Sequence, residues 1–543
     1  MPSCASLAIR KPLCLISSVC LALFSLPAAS TAQSAPQNTR VSMTDTLTLE
    51  YRGNNQNGLD GDDSYGALLN RLNLNGNAGN LATAVRIDSF AFENANDLYR
   101  STVQLERINI RYRVGQLRFE VGDFYQQLGR GAVLSMRKID EQGLDVALRG
   151  GWLAHEADTH RALVFAGRSN PVNIDAVTQR YVEPTQDVLA GGEVLVTAVD
   201  GFEFGVMGLY AEPGDTEWDD QFDIAMALPA GPLRDRALQN LDAIPRRDHG
   251  ETVGASFSMP SAVDWLALYA EGSWQSRTLL GEEQNGSTIY GTADLRFGDY
   301  NFLLEGIRVD TMTVLASDNN VTTQPFLYFA PPSLERFDQE VLIFDHYQGG
   351  RVRAERYISA LDLSLNVNGM LRYTNPGEDN ELRQVHGYAG YELYYQNGLS
   401  RLVMNGGYRD ETSIRGEDTQ FKTLRHFDVD WLQSISGPWS FHVQSFNEFR
   451  TLGNDPFQRG STLFGLERAS TGALTFEFGY DTTNETEGVT NFFYAGILQW
   501  FIDDRFTLQA TGGTQRGGIK CINGICRNYP GFAGGSLVLI TRL

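Results

Sequence analysis

The stretch Leu361 to Thr374, LDLSLNVNGMLRYT, alternates. Leu361, Leu363, Leu365, Val367, Leu371 and Tyr373 fall on one face, and Asp362, Ser364, Asn366, Asn368, Arg372 and Thr374 on the other. A period of two is the period of a β-strand, not of a helix, and this run is longer than most soluble strands. The pattern recurs in ALTFEFGYD, where Leu474, Phe476, Phe478 and Tyr480 oppose Thr475, Glu477, Gly479 and Asp481. In RFTLQAT, Phe506, Leu508 and Ala510 oppose Arg505, Thr507, Gln509 and Thr511. One apolar, aromatic face and one charged, amide-rich face suit a wall between lipid and water. A soluble sandwich alternates too, but long strands repeated behind an export signal favour the membrane barrel.

The connections have a rhythm. Short polar or glycine turns fall at Asn77–Gly79, Val114–Gly115, Asp200–Gly201, Gly298–Asp299, Asn397–Gly398, Ser436–Pro438, Ser470–Gly472 and Asp503–Asp504. Long polar connections alternate with them, the longest at 213–249 and 312–348. Tight periplasmic turns and long outer loops are the habit of outer-membrane barrels. The expected fold is therefore all-β: a single-chain antiparallel outer-membrane barrel of about 24 strands, give or take about two, with both ends on the periplasmic side. A strand begins near Val41, so no plug domain is expected before it, and GGSLVLITRL reads as the closing strand. Within the outer loops, GPLRDRALQNLDAI has helical spacing of Leu233, Leu238 and Leu241. QPFLYFAPPS sets three aromatics beside two prolines, to pack the loop or to stack on a sugar or partner.

The N-terminus reads as an export signal. Arg10 and Lys11 precede the apolar run LCLISSVCLALFSL and the small residues AASTA, which predicts a signal peptide over 1–32 and a barrel over 33–543. Cys14 and Cys20 raise the alternative of a lipoprotein, but the residues before them do not form the usual approach to a lipidated cysteine. No other segment reaches the ~18 apolar residues of a membrane helix. Beyond the signal only Cys521 and Cys526 remain, five apart in CINGIC. In an exported chain that predicts a small disulfide-closed loop, and a structural zinc site would need more ligands nearby. The formal net charge of −22 argues against nucleic acid as a partner. The expected surroundings are the lipid and lipopolysaccharide of a Gram-negative outer membrane, with periplasmic or surface proteins as further candidate partners.

One segment stands apart. Phe119 to Lys138, FEVGDFYQQLGRGAVLSMRK, carries Gly122, Gly129 and Gly131 among Arg130, Arg137 and Lys138, yet matches neither a Walker loop nor a dinucleotide fingerprint. On the strand count, Phe119–Tyr125 ends one strand, Gly143–Trp152 begins the next, and 126–142 is an outer loop. Ala132–Lys138 is half apolar. It is predicted to fold inward against the wall, with Gly129 and Gly131 permitting a tight backbone. Arg130, Arg137 and Lys138 are then expected to face the lumen as a constriction, paired by wall carboxylates such as Asp123 and Asp140. The competing expectation is that 132–138 adds strands to the wall. VGDFYQQLGRGAVLSMRK…GLD…LRGG and the tail GGIKCINGICRNYPGFAG resemble segments of a family of uncharacterised bacterial outer-membrane barrel proteins. That resemblance implies an outer-membrane barrel and no known activity.

Catalysis finds little support. Membrane-embedded hydrolases need a histidine paired with Ser or Asp near the rim. Asp248-His249, Asp345-His346 and His426 near Asp428 are the candidate pairs, and such neighbours also arise by chance. NNQNGLDGDDS, Asn54–Ser64, is oxygen-rich but lacks the spacing of a calcium loop and its closing Glu. The reading is therefore of a non-enzyme without cofactor or metal. It is a passive or gated channel for polar solutes, narrowed by inward-folded loops. The alternative is a non-conducting anchor or scaffold of a secretion, adhesion or motility assembly.

Overall fold

The computed structural model describes residues 39–543 apart from 55–62, 98, 140–143, 176, 183–186, 215–225, 227–233, 235–246, 280–281, 313–327, 336–344, 415–421, 453–454, 483–491, 523–524 and 530. The signal-peptide segment, the calcium-loop candidate and the helical stretch of the 213–249 loop fall wholly or largely outside those residues.

Antiparallel strands, 24 in number, close into one barrel. Each pairs with its neighbours in chain order, and the ring is sealed where the first strand, Thr39–Asn54, meets the last, Phe532–Arg542. The first described residue, Thr39, already lies in the wall. Both described ends sit at the rim that carries the short turns, since Thr39 lies opposite Ala78 and Thr44 opposite Arg542.

Alternation sorts the faces as the sequence predicts. In Leu363–Thr374, Leu365, Val367 and Leu371 are exposed outward while Asn368, Arg372 and Thr374 are buried inward. That strand starts two residues later than its pattern. Leu361 belongs to a single 3-10 turn, Ser359–Leu361, and Asp362 caps it with a left-handed φ of 50°. Outward aromatics collect beside the short turns: Trp265 stacks on Phe297, and Tyr300, Trp439 and Trp500 stand exposed near the same rim. Tyr51, Trp274, Phe492 and Tyr494 are exposed toward the opposite rim. Aromatic girdles at two levels mark the two interfaces of a membrane. A closed barrel with an apolar exterior banded by aromatics is an outer-membrane barrel, and closing the ring lets the wall strands pair on both sides.

Three short turns fall outside those expected, and none of them carries glycine or proline: Asp158-Thr159, Asp264-Trp265 and the turn at Ser359–Asp362. Two connections expected to be long, 277–285 and 451–456, are short, because the flanking strands run on. Leu266–Leu279 and Glu282–Phe297 stay paired to within two residues of the tip, as do Trp439–Leu452 and Asp455–Arg468.

The segment after Phe124 does not join the wall. Leu117–Phe124 pairs directly with Leu144–Ala157. Between them, Gln126–Leu128 and Leu134–Met136 form a separate two-stranded hairpin. Only Lys138–Ile139 touches the wall ladder, as two residues along Leu144–Ala157. The expectation that 132–138 adds wall strands is thus overturned in favour of an inward fold.

Candidate functional site: an inward-folded hairpin

The hairpin enters the lumen because its apolar residues find apolar partners there. Leu128, Val133, Leu134 and Met136 are buried against Leu148, Leu163, Phe165, Leu189, Met207 and Leu209. These wall residues face inward from four consecutive strands. Phe202–Glu212 shows why: Phe204, Val206 and Tyr210 face lipid, while Met207, Leu209 and Ala211 face the hairpin. Both faces of that strand are apolar, a local departure from the polar-inside habit of open barrels.

Polar contacts fix the hairpin's tip. The Arg130 backbone N–H donates to Glu271 Oε2 at 2.7 Å, and Ser273 Oγ donates to the Ala132 carbonyl at 3.1 Å. Gly129 and Gly131 are required here. Their φ values are 58° and 93°, and a Cβ on Gly131 would lie 2.5 Å from the Ala330 carbonyl oxygen.

Ala330 belongs to a second inward segment, 328–335, from the 311–346 connection. It joins the hairpin through Ser135 N–H to the Tyr328 carbonyl, 2.7 Å, and Ala330 N–H to the Gly131 carbonyl, 3.1 Å. Tyr328 and Phe329 are buried. The Tyr328 hydroxyl donates to Asp187 Oδ2 at 2.6 Å, and Phe329 and Leu334 pack with Ile307, Val309, Met312, Tyr347 and Met370. For Tyr328 and Phe329, the two described aromatics of the cluster, packing is the reading that holds, against the hairpin and the wall; Phe326 lies outside the described residues.

The three candidate cations separate. Arg130 lays its guanidinium over Tyr269, 3.8 Å from the ring centre, with Tyr290 further off at 5.9 Å. Arg130 and Arg137 line a cavity of about 570 Å³ together with Arg351, Arg353, Glu305 and Glu335. Lys138 lines another, of about 800 Å³, among Arg86, Arg107, Arg111, Arg113, Arg118 and Arg161, against Glu120, Asp123, Asp145 and Glu156. Among the described lining residues of both cavities cations outnumber carboxylates, although the chain as a whole is acidic.

Of the two expected carboxylate partners, the structure describes only Asp123, and it is held elsewhere. Asp123 is held by Arg149 at 3.0 Å, Asn170 at 2.8 Å and the Ile108 N–H at 2.7 Å. It has no capacity left for the hairpin, and Asp140 lies outside the described residues. Arg137 is half-buried, and its Nε has no hydrogen-bond partner. Burial pulls the Arg137 guanidinium below its ordinary value, and among the described residues no carboxylate counters it.

The histidine pairs fare differently. His249 stacks on Tyr210, and His346 Nδ1 lies 3.3 Å from Asp310 Oδ1. His426 Nδ1 does meet Asp428 Oδ2, at 3.3 Å, but the pair is buried and its far side faces His386, which no sequence signal marks. Among the described residues no group of three or more His, Cys, Asp or Glu is placed to hold a metal ion.

The register of a small hairpin, Gly518–Ile522 with Ile525–Tyr529, sets Cys521 opposite Cys526. Their side chains lie outside what the structure describes.

No family model matches the chain, and no curated protein matches it. Solved structures do. The siderophore receptor PirA from Pseudomonas aeruginosa is 7% identical, with 93% of this chain and 80% of that one covered and a TM-score of 0.47. OpdO from Pseudomonas aeruginosa is 11% identical over 71% of this chain and 95% of that one, TM-score 0.41. The translocation pore of the P pilus usher PapC is 8% identical over 93% of this chain and 99% of that one, TM-score 0.42. Likenesses this remote carry no argument about what the chain does.

Proposed function

We propose that this barrel is a channel for polar solutes, narrowed from its outer side by two inward segments, and that its fixed charge favours anions. The observation that carries the reading is the docked hairpin. It brings Arg130, Arg137 and Lys138 to two polar cavities in which, among the described residues, cations are in excess and Arg137 has no carboxylate of its own. A barrel of this width encloses space that side chains alone do not fill. A charge fixed at a narrow point acts strongly on a passing ion, because the low-dielectric wall concentrates its field.

Replacing Arg130, Arg137 and Lys138 together with Ser is the test. In planar bilayers the variant is expected to shift its reversal potential toward cations and to conduct more, while heat-modifiable migration shows that the barrel still folds. A folded variant with unchanged selectivity and conductance would remove the constriction. A parent protein that conducts no current at all would leave the anchor or scaffold as the better reading.

A further inference from the structure

The segment 328–335 is tied to the wall at its far end by a chain of four titratable groups on three different elements. Glu335 Oε2 meets His386 Nδ1 at 2.9 Å. His386 Nε2 meets His426 Nε2 at 3.1 Å, and His426 Nδ1 meets Asp428 Oδ2 at 3.3 Å. All four are buried, His386 and Glu335 with about 1% of their side chains exposed. The nitrogens are 3.1 Å apart while the ring centres are 5.3 Å apart. The two nitrogens therefore sit close to the line joining the rings. That is the geometry of one N–H···N hydrogen bond, not of two lone pairs converging on a third atom.

The proton count is decisive. Three contacts join the four groups, and each needs one proton between its atoms. Ionised carboxylates only accept, and a neutral imidazole carries one proton. Two neutral imidazoles therefore supply two, and one contact is left with lone pair facing lone pair. One further proton fills all three contacts, and only then is the chain complete.

We propose that Glu335, His386, His426 and Asp428 form a single-proton latch that holds the inward segment 328–335 to the barrel wall. Losing that proton sets two acceptors against each other. Gaining another sets two N–H groups against each other, or neutralises a carboxylate. Charged groups stand around the chain. Arg409, directly across from His386 in the register, has its Nε 3.6 Å from Glu335 Oε1 and also binds Glu411 at 2.5 Å, which resists protonation of Glu335. Glu448 lies opposite His426 and is held by Arg450 and Arg459, and Arg372 lies over Tyr347 on the neighbouring strands. Tyr388 packs against both imidazole rings. The latch is therefore closed within a pH window and released on both sides of it. That release widens the pathway rests on the channel reading above; the latch itself does not.

A nitroxide on Ser333→Cys, in a Cys521→Ser, Cys526→Ser background, reads the segment directly in detergent micelles. Its mobile fraction, followed from about pH 4 to about pH 10, is expected to pass through a minimum and to rise several-fold on both sides. His386→Gln and His426→Gln, with heat-modifiable migration intact, are expected to leave the segment mobile throughout. A flat profile, or a rise at acid pH only, overturns the latch. So does a minimum that survives His386→Gln, or one that disappears with a chelator, which would make the bridge a metal ion. If the minimum is present but the protein conducts no current, the channel reading fails and the latch stands.

Discussion

At the scale of single residues, position 131 decides whether the two inward segments can touch. Gly131 combines a φ of 93° with a carbonyl oxygen where a Cβ would sit. Gly131→Ala is expected to cost about 1–3 kcal/mol of docking, and none of the barrel's own pairing. Hydrogen exchange across 126–136 should speed up while heat-modifiable migration stays normal; unchanged protection in the hairpin would show that the contact is not limiting. The glycines and the apolar run beside them are visible in the sequence, and so is the inward fold they imply. The partners are not. Asp123 looks available beside the hairpin, but Arg149 and Asn170 reach it first from strands whose register no local pattern reveals. His386 is the clearest case of what local reading misses. It stands 40 residues from His426, and only the turn of one intervening strand brings the two rings together.

At the scale of elements, the strands and loops were largely legible and the short turns less so. Alternation survives wherever one face meets lipid and the other water, and it fails to say what faces inward when both faces are apolar, as in Phe202–Glu212. Asp158-Thr159 and Asp264-Trp265 turn without glycine between strands that pair right up to them, Ala157 opposite His160 and Val263 opposite Leu266. The cysteine hairpin carries its own prediction. With Cys521 opposite Cys526 across two paired strands, oxidation should close a small ring worth about 2 kcal/mol, which steadies a loop rather than a barrel. Thiol labelling without reductant is expected to find neither cysteine free, and labelling of both at once would exclude the bond. Cys521→Ser with Cys526→Ser should leave the barrel's heat-modifiable migration unchanged.

At the scale of the whole molecule, the two rims face different compartments. Tags inserted in 213–249 or 312–348 are expected to be reached on intact cells. A tag between Asn397 and Gly398, in the turn Gln396–Leu399, should be reached only after the outer membrane is opened. The reverse pattern would invert the topology. The ring has one further property. Every wall pairing but one joins strands that follow each other along the chain, and the exception sets Thr44–Asn54 against Ala533–Arg542. Such a wall can zip up hairpin by hairpin. Until its two ends meet, however, both outermost strands keep a row of unpaired amides that neither lipid nor a neighbouring strand can satisfy. Assembly is therefore a single late commitment: a chain halted short of Phe532 is an open, sticky sheet, not a smaller pore, and whatever escorts it must hold both edges apart until they meet.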